Sequence, residues 1–384
     1  MLEERQYFYR QDIYDILTGA GLLASGGGGS IVSARDLAET ILSYSERVEY
    51  IDPGQVKSNA MAAVLAGMGS PQALKEKGGF KEGPKRAFEL LEKEIAAPIS
   101  YTVPIETGAV NQLVPMLVSV QKDIPVIDGD GGGRSFPKLS MATFCKMEET
   151  SKPPSVLSTE ASLEKSGSEV IVYQKHARAL EDLLRAITGN SKEFGGIACL
   201  ACFLMECQYL NSGSEVMVKN TLTKARNVGQ LIRESLKEGK DPSDAVISRL
   251  DGYKLARGTI ENIEEPEKGG FDFTTVTIEC EGDGRSVWVL GVNENLLALS
   301  DDMQRPLAMG PDMICYMGED GPLSNADLEE SQKVTLIGLR ADPIIRRHPI
   351  VDRYMEECFF NLGYRGPYVP IEDMNKKPPR RKVI

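Results

Sequence analysis

Histidine is almost missing from this sequence: among 384 residues only His176 and His348 occur. A metal centre built on several imidazoles is therefore excluded, and proton chemistry must fall to carboxylates, thiols, hydroxyls or backbone groups. Long apolar runs are missing too. No window approaches the ~20 apolar residues that a membrane helix needs, and the opening MLEERQYFYRQD holds no apolar signal core. Positive charge is in deficit, with 44 Lys and Arg against 56 Asp and Glu and a net charge of -12. Such a chain repels phosphate backbones, so nucleic acid is set aside as a partner, and so is the membrane. The seven cysteines are odd in number and scattered. That pattern predicts reduced thiols in a cytoplasmic protein rather than a disulfide framework.

What is present points to a globular enzyme-sized chain. Hydrophobic residues make up 41% and charged residues 26%, enough to bury a sizeable core. The length suggests two domains, expected over 1–165 and 166–384. The last nine residues, KKPPRRKVI, run against the acidic trend and read as a solvated tail.

Hydrophobic periodicity predicts helices over Asp12 to Leu23, Ala34 to Ser45, Pro84 to Ala96, Val110 to Val120, His176 to Ile187 and Ser214 to Lys237. Strands are expected over Val48 to Ile51, Ile99 to Glu106, Pro125 to Asp128 and Glu169 to Tyr173, and within Met61 to Pro71 a short apolar run stops at a small-residue loop. Alternating strands and helices imply an N-terminal α/β domain with a largely parallel sheet. Lys146 to Gly167, polar and carrying Pro153-Pro154, reads as a loop or domain edge. The apolar stretch GGIACLACFLMEC (Gly195 to Cys207) fits either element type. From about residue 252 the pattern alternates at period two between Gly, Asp and Pro turns, which predicts a β-rich module in the C-terminal domain.

In open α/β sheets, ligands bind outside the carboxyl ends of the strands, because loops there lead into helix N-termini with free N–H groups. Three predicted strands end in such loops: Gly67-Met68-Gly69-Ser70, Glu106-Thr107-Gly108 and Asp128-Gly129-Asp130-Gly131-Gly132-Gly133-Arg134. A parallel sheet brings them to one edge, where Glu106, Asp128 and Asp130 can serve as catalytic acids and bases. Arg134 can orient a carboxylate or a developing oxyanion. The plainer alternative is that Asp128 and Asp130 make Asx turns or cap a helix. The loop Ser25-Gly26-Gly27-Gly28-Gly29-Ser30 lets backbone approach a ligand and offers N–H groups as an anion nest, or is simply flexible.

Other motifs are weaker. GAGLLA (Gly19 to Ala24) has the letters of a dinucleotide fingerprint but ends a helical pattern instead of following a strand. Cys199-x-x-Cys202 and Cys207 sit in an apolar run without a fourth zinc-type ligand, and Cys145 has no evident His partner. His176 reads as a structural helical residue, and His348, in the polar run RRHP, as exposed.

Taken in order, ASGGGGS near the start, GMGSP (67–71), PIETGAVNQLVP (104–115), IPVIDGDGGGRSFPKLSMATF (124–144), ARNVGQ (225–230), GTIENI (258–263), NEN (293–295) and GPDMICYM (310–317) resemble the S-methyl thiohydantoin desulfurase family over nearly the whole chain. The resemblance implies an α/β domain followed by a domain with a β-rich portion. It also implies hydrolysis of an S-methyl thiohydantoin to the hydantoin with release of methanethiol. Gly26 to Gly29, Glu106, Asn111, Asp128, Asp130 and Arg134 fall on its motifs. The sequence departs from the pattern at Ser30, where an acidic residue followed by Pro is expected, and at Gly132, where bulkier residues are common.

The expectation is thus a homo-oligomeric, cofactor-free hydrolase of a small cyclic amide or thioamide. Asp128 or Asp130 would be its general base, and Glu106 its general acid or a partner of a ring N–H. Asn111, Arg134 and the loop amides of Gly27 and Gly28 would bind substrate. Two alternatives stand beside it. One is a metal-assisted hydrolase using Glu106, Asp128, Asp130 and a thiol or His176. The other is a non-catalytic ligand-binding or regulatory subunit of a hydantoinase-like enzyme.

Overall fold

The computed structural model describes residues 5–145, 152–160, 167–211, 215–268, 271–282, 284–301 and 305–375. The basic tail 376–384 and the parts 146–151 and 161–166 of the polar stretch lie outside the described residues. In chain order the first half contains β1 (Gln6–Tyr9), α1 (Arg10–Leu23), α2 (Ile31–Tyr44), β2 (Arg47–Ile51), β3 (Met61–Gly69), α3 (Pro71–Glu76), α4 (Gly83–Ile95), β4 (Tyr101–Pro104), α5 (Leu113–Lys122), β5 (Val126–Ile127), β6 (Gly129–Asp130) and β7 (Ser155–Ser158). There follow β8 (Glu169–Val172), α6 (Ala177–Asn190), β9 (Ile197–Glu206), α7 (Gln208–Asn211), β10 (Val218–Lys219), α8 (Thr221–Lys237) and α9 (Pro242–Leu250). The remainder comprises β11 (Tyr253–Glu264), β12 (Glu267–Lys268), β13 (Phe271–Cys280), β14 (Ser286–Val292), β15 (Glu294–Leu299), β16 (Pro306–Met309), β17 (Met313–Gly318), β18 (Gly321–Leu323), β19 (Lys333–Leu339), α10 (Pro343–Arg346), α11 (Pro349–Asn361) and α12 (Ile371–Met374).

The architecture is mixed α/β, with a β-rich C-terminal part. The first sheet has strand order β1-β2-β5-β4-β3-β9-β7-β8. Its middle, β2-β5-β4-β3, is parallel, as the alternation of strands and helices requires. The flanks are antiparallel: β1 on one side and β9, β7 and β8 on the other. The stretch of uncertain type is therefore strand β9. It lies between β3 and β7, covered on both faces, which is why its sequence is continuously apolar. The polar stretch expected to be loop contributes strand β7, whose Val156 and Leu157 are fully buried. Helix α8 begins later than its periodicity suggests: Val218 pairs with Asp130, and Asn220 has φ 60°, so regular helix starts at Thr221.

The second sheet, β16-β15-β14-β13-β11-β19-β17-β18, is antiparallel throughout. Its period-two alternation sends Ile260, Val276, Ile278, Val289, Ile314 and Leu336 into one core with Ile371 of α12. Met313, Cys315, Met317, Ile337 and Leu339 join instead the core that holds α1, α2, α5 and α8. Helices α1 and α8 cross there at backbone contact. A Cβ at Gly19 would stand 1.9 Å from the Ala225 carbonyl oxygen, and one at Gly229 would stand 1.8 Å from that of Asp15. Gly19 in GAGLLA thus serves helix packing. Among the described residues no helix is long and apolar enough to cross a membrane.

Candidate active site

The loops after β4 and β6 and the glycine loop after α1 come together. Gly131 N–H donates to the Ile105 carbonyl at 3.0 Å, and the Thr107 hydroxyl donates to Asp130 Oδ2 at 2.6 Å. The glycine loop lies on the first of these: the Gly28 carbonyl accepts from Val110 N at 3.0 Å. Gly28 has φ +69°, and a Cβ on it would fall 2.3 Å from Gly108 Cα, so two backbones touch where neither residue tolerates a side chain. From the opposite side the second sheet closes in. Asn295 N–H donates to the Ser25 carbonyl and Asn325 N–H to the Gly26 carbonyl, both at 2.8 Å. This brings Glu294 against Gly27, where a Cβ would lie 2.4 Å from Glu294 Oε1. Among the described residues, none of the N–H groups of Gly26 to Gly29 donates to a protein acceptor.

At the meeting point two carboxyls share one hydroxyl. Ser135 Oγ lies 2.7 Å from Glu106 Oε1 and 3.0 Å from Glu294 Oε1. Glu106 also accepts from Asn111 Nδ2 at 2.7 Å and from Phe136 N–H at 3.0 Å. Glu294 Oε2 is buried with no hydrogen-bond partner among the described residues. The two carboxyls are only 6% and 4% exposed. Burial pushes the Glu106 carboxyl up to about 7, against the pull of its three donors. Burial and then the neighbouring Glu106 push Glu294 up to about 8. Around them Gly27, Gly29, Gly67 and Asn111 are half-buried and form the solvent-facing rim. Asn111 ties that rim together, since its Oδ1 accepts from Gly67 N–H at 3.0 Å while its Nδ2 holds Glu106.

The other residues singled out in the sequence are turned elsewhere. Asp128 caps α8: its Oδ1 accepts from Leu222 N–H at 2.9 Å and Thr223 N–H at 3.2 Å, and its Oδ2 from the Thr223 hydroxyl. Asp130 is wholly buried and closes an Asx turn, accepting from Gly132 and Gly133 N–H at 2.9 and 2.6 Å. Burial raises the pKa of both aspartates. Both thus make the cap and the turn that the plainer alternative describes, and Asp130 shapes the turn that leads to Ser135. Arg134, 1% exposed, spends its guanidinium on the carbonyls of Ser135, Pro311, Asp312 and Asn295 at 2.7 to 3.1 Å. Its charge acts on both Glu294 and Glu106.

The departures from the family pattern have local explanations. Ser30 caps α2, accepting from Val32 and Ser33 N–H, and the missing carboxylate arrives from Asp327. Asp327 accepts from the Ser30 hydroxyl at 2.6 Å and from Ile31 N–H at 2.8 Å. The bare Gly132 leaves the space that the Phe136 ring fills, 2.7 Å from where a Cβ would sit.

Cys145, Cys199, Cys202 and Cys207 are buried, and burial raises the thiols of the last three. His176 is exposed just ahead of α6. His348 is not exposed as its polar neighbours suggested: it is 2% accessible and opens α11. No group of three or more His, Cys, Asp or Glu is arranged to hold a metal among the described residues. Surface grooves of about 370 and 760 Å³ run beside α8 and β17 to β19, and neither is lined by Glu106, Ser135 or Glu294.

Glu294 and Ser135 escaped the sequence reading. Ser135 adjoins the Asp-Gly turn, and Glu294 lies in the NEN motif, so proximity to conspicuous residues was the signal available.

Residues 11–171 match the family described as S-Me-THD-like, N-terminal domain, and residues 174–370 match its C-terminal domain. An X-ray structure of a protein from Chromobacterium violaceum is similar at a TM-score of 0.80 and 27% identity, over 95% of this chain and 100% of that one. No curated protein matches the sequence.

Proposed function

This chain belongs to the S-Me-THD-like family, and from that premise we propose that it hydrolyses a small cyclic amide or thioamide with Glu106 and Glu294 as its acid–base pair. The observation that carries the reading is the junction of these two desolvated carboxyls on Ser135, beside a glycine loop with unused N–H groups. Carboxyls of unequal proton affinity in one site divide acid and base roles. Glu106, held by three donors, is the carboxylate; Glu294, with a bare oxygen, is the acid.

On an S-methyl thiohydantoin ring the chemistry balances as follows. Glu106 takes a proton from water as its oxygen adds to the carbon bearing the thiomethyl group. Glu294 gives its proton to the ring nitrogen that receives the electron pair. The adduct then loses its hydroxyl proton, reforms a carbonyl and expels the sulfur as methanethiol. The free amides of the Gly26 to Gly29 loop stabilise the negative charge on the added oxygen as the adduct loses its hydroxyl proton. Such general acid–base help contributes ~10²–10⁴ in rate, and one oxyanion donor ~10²–10³.

The test is turnover of S-methyl thiohydantoins, hydantoins and lactams by the purified chain, with methanethiol measured for the first class. Glu294→Gln and Glu106→Gln should each lower kcat by about 10² or more while the fold is kept. Rings that raise the melting temperature of the wild type but are never turned over would favour a ligand-binding role instead.

A further inference from the structure

We propose that Ser135 relays a proton between Glu294 and Glu106, so that the two carboxyls hold one shared proton in the resting protein. This rests on the acid–base reading above and adds the residue that resets the pair.

The geometry requires the shared proton. A serine hydroxyl has one proton and two lone pairs. Ser135 Oγ, with its short contacts of 2.7 Å to Glu106 and 3.0 Å to Glu294, can donate to only one of them. The second contact is attractive only where the hydroxyl accepts, so one carboxyl carries a proton. The donors decide which. Asn111 and Phe136 already point N–H groups at Glu106, whereas among the described residues nothing donates to Glu294 Oε2. In the resting protein Glu294–H therefore donates to Ser135, and Ser135 donates to Glu106; with a ring bound, the Glu294 O–H turns to the ring nitrogen. The charged groups acting on the pair are Arg134, Arg185 and Asp130. Arg134 is pinned by main-chain carbonyls and Asp130 by its own donors, so neither moves to follow a change of charge. Ser135 is fully buried behind the carboxyls, a place suited to passing protons and closed to nucleophilic attack.

The relay solves a problem in the second half of the reaction. After water has added, Glu106 bears a proton and Glu294 has lost one. Ser135 takes the Glu106 proton as it gives its own to Glu294; only O–H bonds break and form, and the starting arrangement returns. Glu106 is then again the base for the adduct hydroxyl, and Glu294 the acid for the departing thiolate. Neither residue has to change sides.

Infrared spectra of the full-length protein test this without a substrate. At neutral pH the wild type should show the C=O stretch of a buried protonated carboxyl. The band should vanish in Glu294→Gln and move to the frequency of a carboxyl without a hydroxyl partner in Ser135→Ala. On any ring the wild type turns over, Ser135→Ala should lower kcat about 10²-fold with KM unchanged and shift the pH profile, and Ser135→Thr should restore most of the rate. A neutral-pH spectrum without the band, or a band that survives Glu294→Gln, overturns the proposal. So does a Ser135→Ala enzyme with an unmoved pH profile, or a covalent adduct on Ser135 by intact mass. The expected spectra from a protein that hydrolyses no ring would support the shared proton and overturn the hydrolase reading, so the two failures are separable.

Discussion

Glu106 and Glu294 come from separate halves of the chain, one after β4 and the other opening β15, and meet on a single buried hydroxyl. Their oxygens compete for one proton in a buried site, and several expectations follow from that competition.

Stability should fall with rising pH over the neutral range, and Glu294→Gln should weaken the fall. Both carboxyls are raised in the folded state, Glu106 to about 7 and Glu294 to about 8. A raised carboxyl holds its proton more tightly when folded than when unfolded. Its contribution is therefore fully present below the ordinary carboxylate pKa, is lost as pH rises through these values, and levels off above them. Glutamine cannot ionise, so the variant should gain on the wild type by on the order of 1–3 kcal/mol between mildly acidic and mildly alkaline buffer. Urea midpoints at both ends of the range check the sign.

Gly28→Ala and Gly108→Ala should each disable the site. Their Cβ atoms would meet backbone 2.3 and 2.4 Å away, and Gly28 adds a φ of +69°. The loop must lift, which opens the rim over Glu294. A loss of ~1–3 kcal/mol is expected from the strained position, with a larger proportional loss of ring binding. Thermal shift with and without a bound ring separates the two effects.

Asp128→Ala should behave as the loss of a helix cap. It frees the Leu222 and Thr223 N–H groups at the start of α8. The cost should be ~0.5–2 kcal/mol, with kcat per folded molecule close to wild type. A kcat lowered by 10² or more with α8 intact would return Asp128 to the chemistry.

Arg134→Met and Asp312→Ala should be severe and structural. The first removes the guanidinium that donates to four buried carbonyls, of which that of Asn295 keeps the Ser25 hydroxyl at 3.2 Å. The second removes the carboxylate that Arg346, Tyr368 and the N–H groups of Ala341 and Ile371 all address. Each should cost ~3–5 kcal/mol. Reduced soluble yield and a lower denaturation midpoint are the readouts.

The departure at Ser30 shows how chemistry is supplied from elsewhere in the chain. One carboxylate at the start of α2 holds both the Ser30 hydroxyl and the Ile31 N–H, and it comes from Asp327, far along the sequence. No pattern around Ser30 points to that partner. His348 is a similar case: polar neighbours suggested exposure, but it is buried at the N-cap of α11.

The sequence by itself determined the elements whose causes are local. Spaced apolar residues made α1, α2, α4 and α5, period-two alternation made the second sheet, and glycines at strand and helix ends marked the loops that build the site. It also brought Glu106 forward, because a carboxylate just past a parallel strand lies at the sheet edge where such loops gather. Tertiary structure decided the rest. It made β9 a strand by covering both faces, and it spent Asp128, Asp130 and Arg134 on backbone groups that folding had buried. Docking of the second sheet against the glycine loop brought Glu294 to Glu106. Partnerships of that kind depend on how finished surfaces meet, and neither periodicity nor the spacing of nearby residues carries that information.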